Sequence, residues 1–392
     1  MFNEVGNEKF IENIIDSING KINLNSDIND GYIKKTIENE VMEKLNDSDF
    51  NSVYQNKIVD NVFNSIRRLD IIQPLIEDIE IDEIMINGYK DIFVEKKGEI
   101  TKINTSFDNL EKLYNIISNI VGKVNREVNE SNPIVDARLE DGSRVNIVLP
   151  PIALNGPIIT IRKFKKSILT IKDLIDNKTV NLEISKFLEL LVLERHNIMI
   201  SGSTGAGKTT LLNIISNFIP KEERIITIED SAELKIDGIK NIVKLETRNS
   251  NSLNVGNISI RDLIRTSLRM RPDRIIVGEV RGIEAIDMLQ AMNTGHDGSL
   301  TTGHANTCKD MLSRLETMVL LGNTMPLDAV RRQICSGIDI IIHISKLRDK
   351  TRKIVEIVEI LGIDKGNINL NTIYNYNQSK NNLCGELKKR KI

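Results

Sequence analysis

Apolar side chains recur with different spacings in successive parts of the chain. In residues 1–70 they return every three or four positions, which predicts amphipathic helices. Three such stripes are present: Phe10, Ile11, Ile14, Ile15 and Ile18; Ile33, Ile37, Val41 and Leu45; and Val53, Ile58, Val62 and Ile66. This pattern is typical of a small helical bundle, and an arm that docks a partner is the alternative interpretation.

A different pattern occupies residues 71–165. Short apolar runs are separated by turn-forming pairs such as Asn87-Gly88 and Asp141-Gly142, and one helical stripe falls between them. Strands joined by tight turns are typical of such runs. We therefore predict an α+β domain over 71–165 and a helical linker over 166–183.

From residue 184 to 364 apolar strands alternate with amphipathic helices, which is typical of a parallel sheet with helices on its faces. The predicted fold class is α/β, with a RecA-like P-loop domain in this third part. Residues 365–392 are rich in asparagine and end in a basic run. We predict a solvated, frayed tail there.

Composition narrows the class of protein. The chain has 392 residues, 28% of them charged, and a formal net charge of -2, which argues against a nucleic-acid-coating protein. Its three cysteines lack any CxxC spacing, so a zinc ribbon is excluded and a disulfide framework is disfavoured. We expect no signal peptide and no membrane-spanning segment. These features predict a cytoplasmic protein that only a partner would bring to a membrane.

A complete nucleotide-binding motif lies in the third part of the chain. A short apolar strand precedes it and a helix follows it, as a P-loop requires. Glycines let backbone N–H groups converge on phosphate oxygens, and the helix N-terminus adds positive potential. Lys208 is predicted to reach the β- and γ-phosphates of ATP, and the Thr209 hydroxyl to coordinate Mg²⁺. The predicted nucleotide-binding residues are Gly202, Ser203, Thr204, Gly205, Ala206, Gly207, Lys208, Thr209 and Thr210.

Carboxylates follow two apolar strands of the same part. Glu279 ends the run that starts at Arg274, and we predict that it orients or activates the attacking water; a structural salt bridge is the alternative. Glu229, Asp230 and Glu233 follow the other strand, at the sheet edge where open α/β folds bind ligands. Glu229 is predicted to be catalytic, and Asp230 and Glu233 to bind metal; helix capping by Asp230 is the alternative. The set predicts Mg²⁺-dependent ATP hydrolysis.

Two of the four histidines lie close together in the sequence, at His296 and His304. His304 follows a short strand that we predict to lie beside the Glu279 strand. An imidazole there could sense the γ-phosphate and report hydrolysis. Both histidines are therefore candidate catalytic residues, with a structural role as the alternative.

Together these residues resemble the type II/type IV secretion and pilus assembly ATPases, most closely the branch that serves tight-adherence (Tad) pili. The resemblance covers roughly residues 70 to 360. It rests on an ordered set of segments: Ile84-Met85-Ile86-Asn87-Gly88, residues 141–146, residues 228–234, Leu268-Arg269-Met270-Arg271-Pro272-Asp273-Arg274, Gly278-Glu279-Val280-Arg281-Gly282 and residues 295–306.

This resemblance implies a homohexameric ring that powers pilus assembly or protein secretion. It implies recruitment to the inner face of the cell membrane by an inner-membrane platform protein, without a membrane span. Glu229, Asp230 and Glu233 would form the family's aspartate box, and the two histidines its histidine box. An N-terminal domain would close over bound ATP. Its nucleotide-contacting arginines would be Arg138, Arg144 and Arg162, with plain surface positions as the alternative.

The sequence also departs from the family pattern. Asp70-Ile71-Ile72-Gln73-Pro74 replaces a glycine-rich start of the N-terminal domain, and Gly303 replaces a larger apolar residue of some branches. Neither change removes a reactive group.

Two other functions compete with a secretion motor. Arg261, Arg265 and Arg269 share one helical face and could grip nucleic acid, which would suit a RecA-like nucleic-acid motor. An inter-subunit or intramolecular salt-bridge surface is the favoured interpretation of these arginines, and the low aromatic content of 4% argues against base stacking on nucleic acid. The other alternative is a nucleotide-binding switch with negligible turnover, which the carboxylate and histidine set disfavours.

Overall fold

A computed structural model describes residues 4–21, 28–45, 52–123, 127–164, 169–248, 256–322, 324–376 and 383–388. The chain divides into two compact units, Met1–Lys166 and Ser167–Ile392. Within the described ranges, none of the helices combines the length and the apolar character that a membrane crossing demands.

The first unit begins with three helices: α1 (Glu4–Lys21), α2 (Asp30–Leu45) and α3 (Ser52–Arg67). Their apolar stripes meet in one cluster that contains Ile14, Ile37 and Val62, as the spacing of apolar residues predicts. Glu40 is buried at its edge, where it accepts a hydrogen bond from the Ser17 hydroxyl at 2.6 Å.

An antiparallel sheet follows the helices, after a 3₁₀ turn and a short helix. Side chains alternate along its strands: Val145 and Ile147 are buried in the apolar cluster that also contains the buried face of α5 (Leu110–Lys123), whereas Arg144 and Asn146 lie on the other face. The order in the sheet is β3-β2-β1-β6-β5-β4. The elements are α4 (Gln73–Glu77), β1 (Ile81–Asn87), β2 (Asp91–Lys96), β3 (Glu99–Lys102), α5 (Leu110–Lys123), β4 (Ile134–Arg138), β5 (Arg144–Val148) and β6 (Ile158–Arg162).

The second unit is built on an eight-stranded sheet of order β14-β13-β12-β7-β11-β10-β8-β9. Strands β12 to β9 in this order are parallel, and β13 and β14 are antiparallel. β7, β8 and β10 are buried along their whole length because apolar clusters cover both faces. The elements are α6 (Ile171–Asp176), α7 (Leu182–Leu193), β7 (Ile198–Gly202), α8 (Lys208–Ser216), β8 (Ile225–Glu229), β9 (Ile242–Glu246), α9 (Ile260–Ser267), β10 (Arg274–Val277), α10 (Ala285–Asn293), β11 (Leu300–His304), α11 (Cys308–Leu321), α12 (Leu327–Gly337), β12 (Ile340–Lys346), β13 (Arg352–Asp364) and β14 (Asn367–Asn375).

The structure differs from the predicted frayed tail at residues 367–375, which form β14 and pair with β13. Lys365 and Gly366 both have positive φ and make the tight turn between the two strands. Ile373 and Tyr374 are buried, so the segment contributes to the core despite its asparagines. Residues 377–382 and 389–392 of the predicted tail, and residues 166–168 of the predicted linker, lie outside the described residues.

Candidate nucleotide site

Parallel pairing brings four strand ends to one edge of the large sheet. His304 is in register with Gly202, and Val277 lies between Thr301 and Ile228 on its two neighbours. The strand that ends at His304 therefore lies beside the strand that precedes Glu279, as predicted. The carboxyl ends of β7, β11, β10 and β8 form a single ligand-facing edge.

The P-loop (residues 202–209) joins β7 to α8 at this edge. Gly205 and Gly207 have φ values of +72° and +99°, which side chains with a Cβ rarely adopt. Gly207 is the N-cap residue of α8. Because glycine has no side chain to accept a hydrogen bond, the first N–H groups of the helix are left for a ligand. A Cβ on Gly202 would collide with the carbonyl oxygen of Ile344. The loop thus has the backbone of an anion cradle.

Lys208, the first residue of α8, points back over the loop. Its Nζ donates to the carbonyl oxygen of Ser203 at 3.1 Å and lies 3.2 Å from Nδ1 of His304. Lys208 is 7% exposed, and burial lowers its pKa. A partly desolvated ammonium of this kind binds an anion strongly because little hydration is lost when the anion arrives.

Each carboxylate oxygen of Glu279 has a neighbour within salt-bridge distance, and only Oε2 has a hydrogen-bond partner among the described residues. Nε2 of His304 lies 2.8 Å from Oε1, and Nη2 of Arg281 lies 2.8 Å from Oε2. Arg281 also contacts the carboxylate of Asp230 at 3.2 Å. Burial lowers the pKa of His304, which favours a neutral ring that can accept from the Lys208 ammonium. The hydrogen bond with Glu279 raises the pKa of Arg281.

Glu229 has a different environment from Glu279. Its carboxyl accepts the backbone N–H groups of Glu233 and Leu234 at 2.9 and 3.0 Å, and it is 3% exposed. Burial raises its pKa to about 7. Gly278 leaves space for it, since a Cβ there would lie 3.1 Å from Cγ of Glu229. The side chain therefore fixes the loop that carries Asp230 and Glu233, and its predicted catalytic role stays a prediction.

The oxygen-bearing side chains at this edge of the sheet fit a magnesium ion whose other ligands are phosphate oxygens and water. Across the ranges that the structure describes, no group of three or more His, Cys, Asp and Glu side chains could hold a metal ion. Thr209 lies in the first turn of α8, and Asp230 contacts Arg281, which also contacts Glu279. Magnesium usually keeps several waters and takes phosphate oxygens beside one or two protein ligands, so this sparse set is compatible with it.

His296 lies at the other end of β11 from His304. Its carbonyl accepts the Ser299 hydroxyl at 2.7 Å, and its Nδ1 lies 3.2 Å from the carbonyl of Ala291. The N–H of Gly298 binds the side chain of Asn197, which precedes β7. His296 is therefore at the amino end of these strands, and the structure does not bring the two histidines together. A catalytic role for His296 remains a prediction.

The three arginines predicted to contact nucleotide form a row in the first unit. Arg138 pairs with Arg144 across β4 and β5, and Arg144 pairs with Arg162 across β5 and β6. Directly paired residues share a face, and this face is opposite the buried Val145 and Ile161. Motif matching identified the three residues, but only the register shows that they are neighbours. We call them the arginine row.

Sequence reasoning missed two residues at the P-loop edge. Arg281 was part of a recognised segment but received no role, although it lies only two positions after Glu279. Arg352 begins β13, and its Nε donates to the carbonyl oxygen of Gly205 at 3.1 Å. No sequence signal links it to a loop that is 147 residues away.

Two of the three arginines predicted to share a helical face, Arg261 and Arg265, lie in α9 and have an intramolecular partner. Nε of Arg261 and Nε of Arg265 lie 2.8 and 2.7 Å from the two oxygens of Asp287, which is 3% exposed. The salt-bridge interpretation is confirmed for these two residues.

Comparison with known proteins agrees with the motifs. Residues 66–386 match the family described as type II/IV secretion system protein. The chain is 44% identical to an uncharacterised protein of Methanocaldococcus jannaschii over 243 residues, which cover 60% of this chain and 33% of that protein. The chain thus spans about one third of that relative. It is 30% identical to the type IV secretion system protein PtlH of Bordetella pertussis over 316 residues, 74% of this chain and 93% of that protein.

Among solved structures, the Legionella pneumophila ATPase DotB is similar with a TM-score of 0.53 and 24% identity, over 74% of this chain and 79% of that one. This likeness concerns the fold. It confirms the predicted α/β class with a RecA-like P-loop domain.

Proposed function

Because this chain belongs to the type II/IV secretion system protein family, we propose that it is an ATP-hydrolysing motor of a secretion or pilus machine. The observation that carries the proposal is the run of contacts from Lys208 through His304 to Glu279. It supports the proposal because it links the cation expected to bind phosphate to the carboxylate expected to act on water. An isolated P-loop would support nucleotide binding only.

Each residue has a distinct part in the proposed reaction. Lys208 and the N–H groups of the P-loop bind the phosphates and offset the charge that develops on them. Glu279 orients the attacking water and accepts its proton. His304 contacts both residues and so connects the state of the phosphates to the state of the carboxylate.

Arg281 competes with water for Glu279. Nη2 of Arg281 contacts Oε2, whereas Oε1 lies 2.8 Å from Nε2 of His304 and has no hydrogen-bond partner among the described residues. Release of Arg281 would make Oε2 available to water. Phosphate oxygens compete with Glu279 for Arg281, because guanidinium binds either anion. Substrate binding would in this way free the catalytic carboxylate.

A bound magnesium ion would neutralise phosphate charge and orient the phosphate oxygens. We propose that the Thr209 hydroxyl holds it, with Asp230 and Glu233 acting directly or through water. The arginine row would supply further phosphate contacts from the first unit.

We further propose a homohexamer that works at the cytoplasmic face of the membrane, where an inner-membrane platform protein recruits it. The relative PtlH is a type IV secretion system protein by name. The motifs resemble the tight-adherence pilus branch most closely, and we propose that branch as the setting.

The experiment is phosphate release from Mg-ATP by the full chain, measured over protein concentrations that span assembly, with light scattering on the same samples. Ring ATPases commonly need an arginine from a neighbouring subunit or closing domain, which can contribute about 10³–10⁵ in rate. We therefore expect specific activity to rise as the oligomer forms. Lys208→Ala controls for contaminating ATPases.

The other outcomes separate the alternatives. Specific activity that does not change with concentration contradicts the assembled motor. Strong stimulation by single-stranded DNA or by RNA favours a nucleic-acid motor, which the pairing of Arg261 and Arg265 with Asp287 disfavours. Tight ATP binding without turnover at any concentration favours a switch.

A further inference from the structure

The hairpin formed by β12 and β13 touches all three glycines of the P-loop. The carbonyl oxygen of Ile344 abuts Gly202, so closely that no Cβ fits there. Nε of Arg352 donates to the carbonyl of Gly205. A Cβ on Gly207 would lie 3.4 Å from Cδ of Arg352 and 3.7 Å from Cδ1 of Ile344. One side of the loop is thus covered by a single hairpin.

This contact acts on the loop and not on its phosphate-binding groups. Arg352 binds a carbonyl oxygen, whereas the anion cradle is made of N–H groups. A glycine-rich loop loses more conformational freedom on ordering than any other segment of equal length. A side chain that holds one of its carbonyls removes competing loop conformations before the ligand arrives, and pre-ordering of this kind increases affinity.

The support for Arg352 is itself well fixed. Its backbone pairs with Lys346, and the turn between them is closed by hydrogen bonds from Leu347 N to Thr351 O at 2.8 Å and from Lys350 N to Leu347 O at 3.0 Å. Two positions further along β13, the N–H of Ile354 donates to the carbonyl of Thr179 at 3.2 Å. Thr179 is 7% exposed, so this anchor is buried. The guanidinium therefore extends from a strand held by backbone hydrogen bonds to a glycine-rich loop.

We propose that Arg352 is a positioning residue of the nucleotide site: it holds the P-loop in its binding conformation through the carbonyl of Gly205 while its stem packs on Gly207. This inference rests on the proposed function, because it assumes that the P-loop binds ATP. ADP and ATP share the phosphates that the loop encloses, so Arg352 stabilises both complexes equally.

The experiment compares Mg-ADP and Mg-ATP binding, by titration calorimetry, to the full chain and to four variants. Arg352→Ala removes the side chain. Arg352→Met keeps an apolar stem over Gly207 but removes the donor, and it serves if the alanine variant does not fold. Arg352→Lys restores a donor. Arg348→Ala is the matched control, because Arg348 is exposed in the same hairpin and carries the same charge.

We expect Arg352→Ala and Arg352→Met to weaken ADP and ATP binding alike, by about tenfold, as the loss of one charge-assisted hydrogen bond predicts. Turnover at saturating ATP should stay within about twofold of the wild-type rate, since the P-loop has the wild-type conformation once ATP is bound. Arg352→Lys should recover part of the affinity, and Arg348→Ala should match the wild type. Backbone hydrogen exchange of residues 203–207 without nucleotide should rise in Arg352→Ala and in Arg352→Met, and should stay at the wild-type rate in Arg348→Ala.

Two results would overturn the inference. If Arg352→Met binds both nucleotides as tightly as Arg348→Ala does, Arg352 does not position the loop. If ATP binding is lost while ADP binding is retained, Arg352 contacts the γ-phosphate directly and is not a positioning residue. Failure of the wild-type chain to bind either nucleotide is a different result, because it refutes the proposed function itself.

Discussion

His304 and Glu279 are in direct contact: Nε2 of the imidazole lies 2.8 Å from Oε1 of the carboxylate, although 25 positions separate the two residues in the sequence. The contact exists because β10 and β11 are parallel neighbours whose carboxyl ends reach the same edge. It gives the carboxylate a partner that also contacts the P-loop lysine. Substitutions at Glu279 and at Lys208 therefore test the two ends of one run of contacts.

The first prediction compares Glu279→Gln with Lys208→Ala. The glutamine variant keeps the shape of the side chain but cannot accept a proton from water. We expect ATP affinity within about twofold of wild type and a turnover at least about 10²-fold lower, which is the scale of general-base catalysis. The alanine variant loses the ammonium over the loop, so its affinity for ATP should fall. Equilibrium binding and single-turnover hydrolysis measure the two effects.

Arg281 provides a check on this assignment. If Glu279 acts only as the partner of Arg281 in a structural salt bridge, Glu279→Gln should lower the melting temperature and the ATP affinity together. Equal losses of affinity in Glu279→Gln and Lys208→Ala would contradict a catalytic role for the carboxylate.

The parts of the site that depend on local sequence were predicted well. The P-loop needs only a strand, a run of glycines and a helix in direct succession, and Lys208 is placed as that succession requires. The proximity of His304 to Glu279 was also predicted, because alternating strands and helices favour parallel strands whose carboxyl ends lie at one edge of the sheet.

Long-range pairing and burial were not readable from the sequence. Glu229 follows a strand as Glu279 does, yet its carboxyl turns to the backbone of Glu233 and Leu234. β14 was missed because asparagine-rich composition hid the burial of Ile373 and Tyr374. Arg352 reaches the P-loop only because β13 joins the sheet two strands from β7.

The second prediction concerns Glu229 and pH. Its pKa in the folded protein is raised from the ordinary value of 4.5 to about 7, so the folded state binds more protons than the unfolded state between these values. Stability must then fall as pH rises through this window. Glu229→Gln has no proton to lose and keeps an oxygen that can accept the N–H groups of Glu233 and Leu234.

We therefore expect the free energy of unfolding of the glutamine variant to rise relative to that of wild type as pH increases from about 4.5 to 7. At higher pH the difference should level off at no more than about 3 kcal/mol. Chemical denaturation of both proteins at a series of pH values measures the difference. A stability difference that is constant from pH 4.5 to 8 would show that the carboxyl titrates normally. Asp262→Asn is a useful comparison, because interaction with the Ser259 side chain and backbone lowers the pKa of this exposed carboxyl.

The third prediction concerns the arginine row. Paired positions on three adjacent strands put Arg138, Arg144 and Arg162 side by side, a spacing that suits an extended polyphosphate. We expect alanine at the arginine that contacts nucleotide to raise the KM for ATP by about tenfold or more, as the loss of a charge-assisted hydrogen bond predicts. Lys102→Ala, at the opposite edge of the same sheet, is the control for charge.

Truncation gives the complementary test. The two apolar clusters of the second unit draw their described residues from Leu174 onward, with partly buried side chains from Ile171, so a chain that begins at Leu169 should keep both cores and fold. If the arginine row binds phosphate, this truncated chain should melt cooperatively yet lose most of its ATPase activity, and the effective alanine variant should reproduce much of that loss. If it hydrolyses ATP at the rate of the full chain, the row has no part in the reaction. The first unit would then serve as a docking module, and its arginines would be surface residues of a strand face.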